Sequence, residues 1–181
     1  KKGVRVEPDS TSRAAQREPD MLAIIDGLPF TNGVIEAEIA GTPGPAAVES
    51  ARGFVGIAFR VSADGATYDA FYLRPTNGRA NDQERRNHAA QYISHPGWPW
   101  SRLRQETPSR YEAYVDVVPN EWTKIKIEVQ GTQARLYVND QAQPTLIVND
   151  VKTGANGSGA VALWIGAGTI GHFSDLRVDR K

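Results

Sequence analysis

Polar and apolar positions alternate with a period of two along much of this chain. In residues 33–40 the order Val34, Ile35, Glu36, Ala37, Glu38, Ile39 sets apolar against acidic side chains, the pattern of a strand with one buried and one wet face. Residues 53–61 place Val55, Ile57, Phe59 and Val61 on one side and Phe54, Gly56, Ala58 and Arg60 on the other. Residues 122–130 are the cleanest case: Thr123, Ile125, Ile127 and Val129 are predicted to face in, and Lys124, Lys126, Glu128 and Gln130 to face water. A turn at 130–132 leads to a hairpin partner over 133–139, and Val138-Asn139-Asp140 is a second turn signal. Further short strands are predicted at 4–6, 21–25, 66–74, 111–118, 145–148, 159–165 and 171–178.

No helical period is sustained for ten residues or more. Residues 81–91 carry charge almost all round and few apolar anchors, so at most a short turn is predicted there. Roughly ten strands separated by Gly, Asn and Pro imply an all-β, antiparallel two-sheet sandwich or jelly roll. With 181 residues the chain is long enough for one sizeable core, so one domain over 1–181 is expected, with a functional, loop-rich insertion at about 74–110. Loops are expected at 10–18, 41–52 and 152–158.

The run NEWTKIKIEVQGTQARLYVNDQ, followed by GAVALWIGAGTIGHFSDLRV, resembles the closing hairpins of concanavalin A-like sandwiches. It is similar in particular to bacterial keto-sugar hydrolase domains, grouped with family-sixteen-type glycoside hydrolases, and to laminin G-like domains. The pattern covers about 120–178. The resemblance implies a concanavalin A-like fold and a carbohydrate-active or adhesive role; the fold by itself hosts lectins, hydrolases and lyases alike. The E-x-D-x-x-E strand motif of laminarinase-type hydrolases is missing, so that retaining mechanism is not carried over.

Charge narrows the partners. Lys plus Arg and Asp plus Glu balance at 21 each, which argues against a nucleic-acid binder. No apolar run is long enough for a spanning helix, so no membrane span is expected. The absence of cysteine excludes a disulfide framework, a thiol nucleophile and a thiolate metal site. A secreted or periplasmic location is expected, with any signal segment removed before the first residue here.

Residues 68–114 hold two of the three histidines, two of the four tryptophans and five of the six tyrosines. If Phe71 and Leu73 point into the core, Tyr68, Tyr72 and Arg74 share the opposite face, where aromatic rings can stack on sugar rings. Trp98 and Trp100 are candidates for a groove wall, or alternatively for caps on an open core edge. Arg74, Arg79, Arg85, Arg86, Arg102, Arg104 and Arg110 form a cationic cluster, with Asn77 and Asn87 among them. Guanidinium forks suit the carboxylate or sulfate of an anionic glycan. The plainer reading pairs some of them with Asp69, Glu112 or Asp116. His88 and His95 bracket Tyr92, and with Arg74 they are the candidate proton-transfer set of a hydrolase or lyase. The candidate substrate-binding set is Tyr68, Tyr72, Asn77, Arg79, Arg85, Arg86, Asn87, Trp98, Trp100, Arg102 and Arg104.

No cofactor is expected. A structural calcium is conceivable from Asp26, Glu36 or Asp175, whereas His88 and His95 lack metal-ligand spacing. The GAGTIG run at 166–171 joins two strands without a following helix or Lys-Ser, and is not a phosphate loop. Three readings remain: a secreted hydrolase or lyase acting on a glycan, a non-catalytic carbohydrate-binding module, and a structural or adhesion sandwich. Convergence of His, Tyr, Arg and a carboxylate in one pocket separates the first from the others.

Overall fold

The computed structural model describes residues 1–8, 20–45 and 47–181. The loop expected at 10–18 lies outside them. Among the described residues, twelve strands form two antiparallel sheets of six. The strands are β1 (Val4–Val6), β2 (Met21–Phe30), β3 (Gly33–Pro43), β4 (Val55–Val61), β5 (Tyr68–Leu73), β6 (Ala90–His95), β7 (Glu112–Ala113), β8 (Thr123–Gln130), β9 (Gln133–Val138), β10 (Leu146–Val148), β11 (Gly159–Ile165) and β12 (Thr169–Arg180). The first sheet runs β1-β12-β3-β8-β9-β10 and the second β2-β11-β4-β5-β6-β7. The expected two-sheet sandwich is therefore the observed fold.

The period-two pattern translates directly into burial. Along β8, Thr123, Ile125, Ile127 and Val129 are buried and the lysines and Glu128 between them are not. The β8–β9 hairpin closes through Gly131-Thr132, with Gln130 opposite Gln133. After β9, Asn139 and Asp140 both take positive φ, 53° and 57°, as a tight turn of the mirror-image type requires. Between the sheets, Ile35, Ile39, Ile127 and Leu136 meet Val55, Ile57, Phe71 and Ile165 in one cluster of buried side chains.

Three expectations change. Residues 90–95, read as loop, form β6, which pairs along its whole length with β5. Both of its faces are buried, so no wet positions betray a strand. The strand expected at 111–118 is reduced to the two residues of β7, because β6 offers it only Ala90 and Gln91 as partners. Two short helices flank β6: α1 (Gln83–Asn87), capped by Asp82, and α2 (Trp100–Glu106), which no helical period announced. No helix among the described residues is long and apolar enough to cross a membrane.

The interior also holds charge. Arg60 is 1% exposed, and its guanidinium donates to the carbonyls of Thr31, Gly131 and Gly154 and to Thr153 Oγ1. A buried cation is tolerated only when its donors are satisfied in this way.

Candidate functional site

The second sheet carries aromatic residues on its outer face as well as its inner one. Register places Trp164, Gly56, Tyr72 and Gln91 in one row across β11, β4, β5 and β6. Since Phe71 and Val55 face the core, this row faces outward. Gly56 leaves the space over β4 open, and the rings of Tyr72 and Trp164 stack across it with centroids 4.3 Å apart. Phe54 meets Tyr72 edge-on at 6.2 Å.

Above this floor lies a pocket of about 450 Å³. Val48, Ser50, Ala51, Arg52 and Phe54 border it on the β3–β4 connection, and Gly166 and Ala167 on the β11–β12 connection. Arg74, Asn77, Arg85 and His88 come from the turns and helix between β5 and β6, Trp100 and Arg104 from α2, and Asp20 from the position just before β2. Four guanidiniums thus converge on one aromatic-floored depression.

A buried carboxylate organises part of this cluster. Glu112, on β7, accepts bonds from Arg104 through Nε at 3.0 Å and through Nη2. Arg74 Nη1 lies 3.5 Å and His88 Nε2 3.6 Å from it. Arg74 also donates to the Tyr72 hydroxyl at 2.9 Å, to Gln91 Oε1 at 3.0 Å and to the His88 carbonyl at 2.8 Å. Burial pushes the Tyr72 phenol above its ordinary range, opposed by the charge of Arg74. The same desolvation, helped by Arg104 and Arg74 and resisted by Glu112 and Glu84, holds His88 below the usual imidazole value.

The structure gathers Arg74, Tyr72, Asn77, Arg85, His88, Trp100 and Arg104 at the pocket. The others are elsewhere. Tyr92, expected beside Arg74, is fully buried on the inner face; its hydroxyl donates to Asp69 Oδ1 at 2.6 Å and accepts from Lys152 N at 2.9 Å. One position from Gln91 and from Ile93 along β6, it points to the opposite face. Burial and Asp69 push its phenol far up, away from use as a base near neutral pH. His95 ends a strand rather than lying in a loop; it stacks on Tyr68 at 5.1 Å and pairs with Asp20 at 3.0 Å, reaching the pocket only through that carboxylate. The expectation that Arg74, His88, Tyr92 and His95 share one depression is thus not met.

Tyr68 is buried beside the pocket, its hydroxyl 3.2 Å from Asp20 Oδ2 and 3.4 Å from Trp164 Nε1. Arg79 pairs with Asp116 at 2.7 Å, and Arg86 lies on Tyr114, 5.2 Å from the ring. Asn87 is exposed and accepts a bond from Gln83. Arg102 pairs with Glu106 at 2.8 Å and covers Trp98 at 3.7 Å, while Lys152 lies on the same ring at 4.2 Å. The two tryptophans therefore divide the alternatives between them: Trp98 packs against the core, and Trp100, 45% exposed, walls the pocket. Arg110 approaches Asp150 at 3.9 Å. Sequence reasoning missed Arg52, Phe54 and Trp164 as pocket residues, and named Glu112 only as a partner for the arginines. Asp26, Glu36 and Asp175, named for a calcium, are not brought together, and no group of three or more His, Asp or Glu that could hold a metal occurs among the described residues. Asp175 instead meets Lys1 at 3.0 Å.

No family model matches the chain, and no curated protein matches it in sequence. Solved structures do match it. A carbohydrate-binding module from Bacillus subtilis, CBM66, superposes with a TM-score of 0.61 at 12% identity, over 88% of this chain and 81% of that one. A galectin from Caenorhabditis elegans gives 0.51 at 17% identity, over 91% and 92%. A Bacillus subtilis protein of unknown function with a galectin-like fold gives 0.54 at 12%, over 90% and 78%. The fold is a galectin-like, concanavalin A-type sandwich. At these identities the likeness is one of fold.

Proposed function

We propose that the pocket over the Tyr72–Trp164 stack binds a sugar residue and that the chain is a carbohydrate-binding sandwich without catalytic turnover. The observation that carries this reading is the make-up of the pocket. Phe54, Tyr72, Trp100 and Trp164 supply an aromatic side, and Asp20, Arg74, Asn77 and Arg104 supply planar hydrogen-bonding groups around a space of about 450 Å³. Sugar rings carry apolar faces and a rim of hydroxyls, which such a lining matches, and the volume falls within the range of small-ligand sites. The two neighbours named as a carbohydrate-binding module and a galectin favour the same class of ligand. So does the resemblance of 120–178 to keto-sugar hydrolase and laminin G-like hairpins.

Binding is favoured over turnover because, although His88, Tyr72, Arg74 and Asp20 share the pocket, burial keeps the Tyr72 phenol protonated and the set of His88, Tyr92, His95 and Arg74 is not gathered whole. Tyr92 lies on the inner face and His95 is engaged by Asp20 and Tyr68. His88 is left beside Glu112, a carboxylate already shared by Arg74 and Arg104. A polysaccharide ligand is consistent with a secreted or periplasmic location. The test is a glycan array read both for retention and for released reducing or unsaturated ends. Retention without release is the expected result. Release that disappears in a His88→Gln variant would replace the binding reading with a hydrolase or lyase, and retention of no glycan would overturn both.

A further inference from the structure

Of the four guanidiniums at the pocket, two share an ion pair with one carboxylate and two have none among the described residues. Arg74 and Arg104 share the carboxylate of Glu112. Arg52 Nη1 donates to the carbonyls of Glu49 at 2.6 Å and Ala51 at 3.0 Å. Arg85 donates from Nε to Asn77 Oδ1 at 3.2 Å and from Nη2 to the Thr76 carbonyl and hydroxyl at 3.3 and 3.4 Å. Every one of these acceptors is neutral, and neither Arg52 nor Arg85 forms an ion pair within 4 Å among the described residues. Such bonds fix the orientation of a guanidinium while leaving its charge uncompensated. Asp20, the carboxylate that lines the pocket, is taken by His95 and Tyr68.

The cations also work against one another. Burial and then the charges of Arg85 and Arg74 depress the Arg52 guanidinium, with only Glu49 opposing. Aromatic walls weaken the screening of this repulsion. The chain as a whole carries no net charge, so the excess is a local property of the site.

We propose that Arg52 and Arg85 form an oxyanion subsite, so that the ligand of the pocket is an acidic sugar whose carboxylate or ester sulfate sits between the two guanidinium forks. This rests on the sugar-binding reading above. Arg52 and Arg85 reach the site from separate segments, the β3–β4 connection and α1, and an oxyanion between them would link the two sides of the pocket across the ring floor.

The test is calorimetric titration with matched pairs: an oligogalacturonate against its carboxyl-reduced counterpart, and a sulfated oligosaccharide against its desulfated form. The acidic member of at least one pair is expected to bind about tenfold tighter or more, in line with charge-assisted hydrogen bonds. Which pair shows the effect tells carboxylate from sulfate. The advantage should shrink between about 0.05 M and about 0.5 M salt. In an Arg52→Gln/Arg85→Gln variant the acidic preference should vanish, the acidic member falling to the affinity of its neutral counterpart; Arg79→Ala, outside the pocket, should leave the preference intact. Equal binding of both members of each pair, or a preference that survives the double variant, overturns the subsite while leaving sugar binding standing. Binding of no glycan by the unaltered protein overturns the sugar reading itself. If the double variant does not fold, the matched pairs and the salt series on the unaltered protein still decide.

Discussion

The rings of Tyr72 on β5 and Trp164 on β11 lie within 18° of parallel although β4 runs between their strands. Gly56 is the residue of β4 that each of them opposes. A Cβ at this position would come within 2.1 Å of the Phe71 carbonyl and 2.6 Å of Tyr72 Cα and Cβ. The stack, and with it the floor of the pocket, therefore depends on an absent side chain.

Gly56→Ala is accordingly expected to destabilise the protein by at least about 1–3 kcal/mol, the usual cost of overpacking, because the clash involves backbone that cannot swing aside. Sugar affinity should fall as well. Chemical denaturation and titration on the same sample check both; an unchanged midpoint with unchanged affinity would show that the floor tolerates separation of the two rings.

Tyr92 gives the opposite pattern. Its hydroxyl links Asp69, buried in the core, to the Lys152 amide. Tyr92→Phe leaves a carboxylate and an N–H short of a partner, for an expected loss of about 1–3 kcal/mol. Because the ring points away from the pocket, glycan retention should not change. Loss of binding in a variant that keeps its native circular dichroism would put Tyr92 back into the site.

What was legible beforehand, and what was not, follows from how each residue earns its place. The β8–β9 hairpin was visible because its alternation and its Gly131 turn are both local. β6 was not, because Gln91, Ser94 and His95 are polar yet lie within or beside buried structure, so its composition mimics a loop. Crowding of arginines and aromatics within 68–114 pointed to Tyr72, Arg74, Arg85, His88, Trp100 and Arg104. It could not separate these from Arg79, Arg86 and Arg102, whose partners Asp116, Tyr114 and Glu106 are settled by packing. Trp164 and Arg52 lie outside that segment, and only the strand order β11-β4-β5 brings Trp164 to Tyr72. Arg52 sits in a stretch whose Gly and Pro content reads as plain loop.

The two exposed-segment tryptophans should separate cleanly on truncation. Trp100 is 45% exposed and lies 4.6 Å from the Arg104 guanidinium at the pocket wall. Trp100→Ala is expected to weaken sugar binding about tenfold, or roughly 1.4 kcal/mol, while shifting stability by under about 0.5 kcal/mol. Trp98, held between Arg102 and Lys152 and packed on the core, should show the reverse. A common effect of both variants on affinity would mean that the binding surface extends past the pocket.

His88 supplies a prediction in pH. Its imidazole is depressed by burial first, then by Arg104 and Arg74, against the pull of Glu112 and Glu84. The folded state thus binds its proton more weakly than the unfolded chain, whose imidazole titrates near 6.5. The stabilisation that follows is present above that ordinary value and is lost as pH falls from there through the lower folded value. His88→Gln should remove this component, so the difference in unfolding free energy between the two proteins should vary across that window and level off on either side. The same proton couples to the ligand. An anion seated at Arg52 and Arg85 favours the imidazolium, so an acidic sugar should bind the unaltered protein more tightly as pH falls from about 7 towards about 5, before uronate carboxylates themselves begin to protonate. With the glutamine variant, titrations of the same acidic sugar over that range should give a flat profile. A rise that persists in the variant would assign the proton to another group; a flat profile in both would place His88 outside the reach of the bound anion.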